Sequence, residues 1–141
     1  MKKAKRILVG LKSLEHAVDL TDAACRLAAR GASLELVHVT ELPDITPLDA
    51  DVPELDALAA QILRAAERVA LRSGLKVSTL ALRAHNAGTA LLDEMTERKI
   101  ELGVFGYHHK HSFGEILLGT AARSLMRRAP CHLLFLVPPQ P

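Results

Sequence analysis

The residues best suited to chemistry lie in one stretch, Gly106-Tyr107-His108-His109-Lys110-His111-Ser112-Phe113-Gly114, which leads into Glu115 to Thr120. Three imidazoles and a lysine sit beside a serine, and a Gly119-Thr120 pair opens a helical pattern. A glycine and a threonine at a helix start offer unblocked backbone N–H groups and a hydroxyl, both favourable to a bound phosphate. Gly114 to Thr120 spells G-x-x-x-x-G-T, but the P-loop lysine is missing and the segment does not directly follow a strand, so it is not a Walker motif. No G-x-G-x-x-G occurs. The blander reading is that Gly119 lets the helix pack closely and Thr120 caps it.

Other chemistry is less well supplied. His108, His109 and His111 cluster, with His85, Cys131 and His132 elsewhere. Imidazole and thiolate bind zinc, but no second CxxC or HxxxH pair completes a tetrahedral set. Ser112 beside a histidine lacks a nucleophile elbow and an orienting acid. Cys25 and Cys131 read as inert core thiols. Lys12, just after an apolar run, either binds an anion or is solvated. Arg127-Arg128 closes a helical pattern, where cations complement the helix dipole. No base, nucleophile and oxyanion arrangement is visible, so the expectation is a protein that is not an enzyme.

These residues need elements to hold them. Short apolar runs occur at Ile7–Val9, Leu36–Val39, Leu102–Phe105 and Leu133–Val137, and continuous runs suit strands buried on both faces. Val77 to Leu82 is more mixed and suits an edge. Between them lie helical stripes. One carries Ala17, Leu20, Ala24, Leu27 and Ala28, with Gly31 as its expected stop. A second carries Leu55, Leu58, Ile62, Ala66 and Val69, with Pro53 in its first turn and Gly74 after it. A third follows Asn86 as N-cap, and a fourth spans about Leu117 to Arg128 before Pro130. Thr40 to Val52 reads as the one long, acidic, solvated loop.

The order βαβαβαβαβ predicts an α/β fold, an open parallel sheet with helices on both faces. Ligands of such sheets bind beyond the carboxyl ends of the strands, where the strand order reverses. That places Leu11-Lys12-Ser13, Val39-Thr40-Glu41 and the segment from Gly106 onward around one site.

The chain has 141 residues, one domain's worth, so residues 1–141 are expected to form a single domain. A net charge of +2 and 3% aromatic content argue against a nucleic-acid partner. No apolar stretch is long enough to enter a bilayer as a span. The basic start, Met1 to Arg6, is followed by an apolar run too short for a secretory h-region. Two cysteines suggest no disulfide framework, and a cytoplasmic location is expected.

Gly106, Gly119 and Thr120, with Leu117-Leu118 before the pair and Arg128-Ala129-Pro130-Cys131 after it, resemble the universal stress protein family. Its pattern is G-x2-G-x9-G-[ST], then a helix, then an apolar last strand. Lys5 to Val9 and Leu36-Val37-His38-Val39 resemble the first two strands. The resemblance implies a Rossmann-like, five-stranded parallel sheet of order 3-2-1-4-5, a role in the stress response and frequent homodimers. In the nucleotide-binding branch, ATP or another adenine nucleotide lies between the first-strand loop and the glycine motif. The implied contact positions are Leu11, Lys12, Val39, Phe105, Gly106, His109, Gly119 and Thr120. Val39 would line adenine and ribose, and Gly119-Thr120 would hold phosphate. No metal is implied beyond magnesium accompanying the nucleotide.

Two positions depart from the pattern. Lys12 stands where the family has an acid after the first strand, and His109 stands at the motif's second glycine. A side chain there fills space where backbone would approach phosphate. The alternative reading is a nucleotide-free dimeric interaction module. The Tyr107 to Glu115 stretch also resembles versions of this domain appended to bacterial amino-acid transporters, which implies a transporter as one class of partner. The homodimer is expected through the last strand. Leu133 to Val137 is apolar throughout yet falls at a sheet edge, and only Pro138 and Pro139 follow to stop pairing.

Overall fold

The computed structural model describes residues 2–107 and 120–139. Five strands alternate with four helices: β1 (Ala4–Gly10), α1 (Leu14–Leu27), β2 (Ala28–Glu41), α2 (Pro53–Leu71), β3 (Lys76–Ala84), α3 (Ala87–Glu97), β4 (Leu102–Gly106), α4 (Thr120–Arg128) and β5 (His132–Leu136). The strands form one sheet of order β3-β2-β1-β4-β5, and every pair is parallel. The expected α/β class and strand order are both found.

β1 sits at the centre and pairs with β2 on one side and β4 on the other. Its Ile7, Leu8 and Val9 are fully buried. Alternate residues of a strand face opposite sides of the sheet, so the run feeds two cores. Ile7, Val9, Leu34, Leu36, Leu102 and Val104 pack with Leu20 and Ala24 of α1 and with Ile62 and Ala66 of α2. Leu8, Val37 and Phe105 pack with Leu91, Leu92 and Met95 of α3 and with Leu125 of α4. This two-sided burial is why the strand sequences read as continuous rather than alternating. β3 lies at an edge, as its mixed sequence suggests.

Two boundaries differ from the sequence expectations. Gly31 does not stop α1, which ends at Leu27 with Ala28 already extended. Gly31 instead lies inside β2 at φ 74°, where the pairing with β1 jumps from Ala4↔Ala28 to Arg6↔Ser33. The left-handed conformation that glycine tolerates is used there for a bulge, not a helix cap. The loop expected from Thr40 begins later, because Thr40 and Glu41 still pair with Arg83 and Ala84 of β3. Nor is that loop simply solvated. Arg83 Nη1 donates to the carbonyls of Leu48 (2.9 Å) and Ala50 (2.6 Å), and its Nη2 donates to both oxygens of Asp56. One side chain thus ties the loop and the first turn of α2 to the sheet.

The helix signals elsewhere coincide with the structure. Pro53 occupies the first turn of α2. The Asn86 side chain accepts the Thr89 N–H at 2.9 Å, capping α3. The start expected for α4, before Thr120, lies outside the described residues. Cys25 and Cys131 are free and half-buried, and burial pushes both thiols up from their ordinary pKa. Thiols held protonated are poor nucleophiles.

One buried carboxyl is out of place in an apolar layer. Glu35 of β2 is 5% exposed. The Arg98 Nε donates to its Oε2 at 3.0 Å and also lies 3.4 Å from Glu94 Oε2. Burial pushes Glu35 up to about 7; Glu94 adds to the rise and Arg98 opposes it. A carboxyl whose folded pKa is raised binds its proton more tightly in the folded state. Its stabilising contribution is present at acid pH and is lost as pH rises through about 7. At 1.36 kcal/mol per pKa unit the effect has a ceiling of about 3 kcal/mol. We therefore expect wild type minus Glu35→Gln unfolding free energy to be greater at pH 5 than at pH 8, measured by urea unfolding at both. A difference that grows toward pH 8 would contradict this assignment.

Candidate functional site

The strands end together along one edge of the sheet, and a cavity of about 490 Å³ opens there. Leu11, Lys12, Val39, Phe105, Gly106 and Thr120, all singled out from the sequence, line it. They come from the β1–α1 turn, the end of β2, the end of β4 and the start of α4. His109 and Gly119 lie outside the described residues, as do His108, His111, Ser112 and Gly114.

The β1–α1 turn is held by two hydrogen bonds to β2. The Leu11 N–H donates to the Val37 carbonyl at 2.8 Å. The Leu11 carbonyl accepts from His38 Nδ1 at 2.7 Å, which places the His38 proton on Nδ1. His38 is 7% exposed, so this bond forms away from water. It fixes the backbone directly before Lys12. Lys12 itself is exposed.

Gly10, the last residue of β1, makes room for an aromatic layer. A Cβ at Gly10 would run into the Phe105 ring. Without one, the ring lies against the strand, with its centroid 5.8 Å from Phe135. Tyr107 adds a third ring, 4.8 Å from Phe135, and its N–H donates to the Leu136 carbonyl at 3.0 Å. All three rings belong to the cavity lining. The layer explains why a chain with few aromatics places most of its Phe and Tyr at one end of the sheet.

Of the helices that begin at this edge, α1, α3 and α4 border the cavity, and their N-termini carry partial positive charge. They are not equivalent. At α3, Asn86 accepts from Thr89 N–H, and Glu41 Oε2 accepts from Ala87 N–H at 2.7 Å. That end already holds an anion. At α1, Ser13 is the N-cap residue but makes no capping hydrogen bond through its side chain. Its Oγ and the Tyr107 hydroxyl are buried without a hydrogen-bond partner among the described residues. At α4, Thr120 opens the described part of the helix and lines the cavity. Around the lining, His16 and His85 accompany Lys12, and His85 Nδ1 lies 3.2 Å from the Leu42 carbonyl. Glu41 is the one acid among the described lining residues.

The sequence places Glu41 and Tyr107 in segments expected around the site, where both are found, but gives neither a role, and it does not single out the side chain of His38. Glu41 and Tyr107 each sit at or just past a strand's carboxyl end, which is a usable signal. His38 carries none, because its role depends on the register between β1 and β2. Among the described residues no group of three His, Cys, Asp or Glu could hold a metal ion.

The model of the universal stress protein family matches residues 3–136. Among curated proteins there is no match. Solved structures share the fold. A universal stress protein family member from Burkholderia pseudomallei is 26% identical, with a TM-score of 0.66, covering 94% of this chain and 96% of that one. The universal stress protein of Archaeoglobus fulgidus in complex with dAMP is 20% identical, with a TM-score of 0.68 and coverage of 92% and 95%. A family protein from Arabidopsis thaliana with AMP bound is 11% identical, with a TM-score of 0.61 and coverage of 93% and 90%.

His38→Leu should leave the Leu11 carbonyl buried and unpartnered. The expected loss is about 1–3 kcal/mol of unfolding free energy, read by chemical denaturation. Unchanged stability would show that the His38 bond does not hold the turn.

Proposed function

The chain belongs to the universal stress protein family, matched over residues 3–136, and from that premise we propose that it is a stress-response regulator that binds an adenine nucleotide in the carboxyl-edge cavity. The observation that carries the reading is convergence. Six positions implied by the resemblance come from four separate parts of the chain and line one cavity. Its size falls within the range typical of small-molecule sites. Related structures with dAMP and AMP bound support the ligand class.

On this reading the phosphate lies at the start of α4, where Thr120 supplies a hydroxyl and an N–H group. Adenine lies toward Val39. Lys12, on the turn between them, adds positive charge where the family pattern has an acid. The reading adds no metal beyond magnesium carried by the nucleotide. Occupancy acts by changing a surface seen by a partner; the reading assigns the chain no catalytic turnover. It places the protein in the cytoplasm, and no helix among the described residues is long and apolar enough to cross a membrane.

The second reading, a nucleotide-free dimeric module, draws its support from Lys12 and His109, which break the motif. A transporter or another protein is then the partner. Both readings include a homodimer through β5. Leu133, Leu134, Phe135 and Leu136 are only partly buried in the monomer, and Val137 is 40% exposed. Among the described residues β5 pairs with β4 alone. Its outer edge is open to antiparallel pairing across a two-fold axis.

Calorimetric titration with ATP, ADP and AMP separates the readings. We expect binding, weakened by about 0.5–1.5 kcal/mol in Thr120→Val, the worth of one hydrogen bond. No binding at millimolar nucleotide would favour the nucleotide-free module. Unchanged affinity in Thr120→Val would remove that residue from the site.

The dimer has its own test. The Leu136 carbonyl accepts from Tyr107, so the polar groups of Leu136 turn toward β4 and those of Val137 turn outward. Light scattering should give twice the monomer mass at tens of micromolar. Val137→Pro, which removes an outward donor, should lower that mass while leaving thermal stability of the monomer fold nearly intact. A wild-type monomer at that concentration would refute the dimer.

A further inference from the structure

Glu41 is an acid in a cavity otherwise arranged for an anion, and its position along the edge says what it does there. The sheet order runs β3-β2-β1-β4-β5. With phosphate at the start of α4, beside β4, a nucleotide laid along this edge crosses the β1 turn and reaches the end of β2 with its base. Glu41 is the last residue of β2, two positions beyond Val39 on the same face of the strand. It therefore lies past the apolar contact with the base, at the end farthest from phosphate. Proximity of a carboxylate to the phosphate would be repulsive, so this is the end of the site where an acid is tolerable.

The carboxylate is also oriented. Its Oε2 accepts the Ala87 N–H at 2.7 Å, across 46 positions of sequence, at the first turn of α3. Among the described residues Oε1 makes no hydrogen bond. Glu41 is exposed to the cavity side and belongs to its lining. One oxygen is thus pinned and the other is available as an acceptor.

We propose that Glu41 is the base-selecting residue of the site: its pinned carboxylate accepts from the exocyclic amine of adenine and rejects purines that present a carbonyl at that position. This rests on the proposed nucleotide reading and deepens it. A carboxylate is acceptor-only. Facing an amine it forms a charge-assisted hydrogen bond. Facing a carbonyl it meets a second acceptor, so the base loses a bond and gains a repulsion. Sites that read a polar group in this way discriminate far better than apolar pockets do. The α3 N-terminus contributes by holding the charge in place.

The experiment is calorimetric titration of wild type and Glu41→Gln with AMP and with IMP, which has a carbonyl in place of that amine and a proton on N1; purine riboside 5′-monophosphate, with neither amine, carbonyl nor N1 proton, isolates the amine and should bind wild type less tightly than AMP. Glutamine retains an oxygen for the Ala87 N–H and adds an NH2 that can donate to a carbonyl. Wild type should bind AMP roughly ten- to a hundredfold more tightly than IMP, as expected for a pair of acceptors set against each other. Glu41→Gln should bring the two within about threefold, by losing affinity for AMP and gaining it for IMP. A merely structural role for Glu41 would weaken both ligands alike and leave their ratio fixed. Wild type binding AMP and IMP equally, or a ratio unchanged in Glu41→Gln, would overturn the assignment while leaving the nucleotide site standing. Binding of neither ligand by wild type would overturn the nucleotide reading, and this assignment with it.

Discussion

The parallel pairing of β1 on both of its edges is the constraint from which the rest follows. A strand with β2 on one side and β4 on the other has no free backbone and no free face. Where both partners are present, from Ile7 onward, its residues must be apolar at successive positions, and Ile7, Leu8 and Val9 are completely buried. Parallel neighbours cannot be joined by tight turns, so each connection is a helix crossing one face. The chain leaves β1 for β2 by α1 and arrives at β4 from α3. At the point where the order reverses, the connections diverge and the edge between them stays open. The cavity is a consequence of that divergence, before any side chain is considered.

Side chains then give the opening its chemistry. His38 holds the Leu11 carbonyl at 2.7 Å and fixes where the β1 turn runs. Gly10 yields its space to the Phe105 ring, which builds the aromatic layer with Tyr107 and Phe135. The helix ends divide the electrostatics. Glu41 and Asn86 satisfy the start of α3 from within the protein. The start of α4 carries Thr120 instead, and Lys12 lies on the turn of β1. A ligand with one anionic and one donor-bearing end fits that polarity in one direction.

Away from the site, the sheet tolerates one polar residue in its apolar layer. Glu35 faces α3, with one oxygen bonded to Arg98 and the other without a hydrogen-bond partner among the described residues. Burying a carboxyl this way is costly as an anion and much less so as a neutral acid, which is why its protonation and the stability of the fold are linked.

How much of this was legible depended on whether the cause was local. Apolar runs and helical stripes are local, so the element order, the two-sided burial and the strand ends carrying Leu11, Val39 and Gly106 followed from the chain read by itself. Caps are local too, and Asn86 and Pro53 stand where their chemistry puts them. Gly31 shows the limit. A glycine after a helical stripe reads as a stop, but a left-handed residue serves a bulge equally well, and only the pairing with β1 chose between them. The acidic loop shows it again, since Asp56 meets Arg83 across 27 positions. Glu41, His38 and Tyr107 acquire their roles from neighbours tens of residues away, through strand register and the meeting of helix ends. Sequence alone determined which residues could form strands, helices and turns, because those preferences act over a few residues. Which side chains share a cavity, and which helix end is already occupied, was decided by the tertiary structure, because long-range pairing sets those distances.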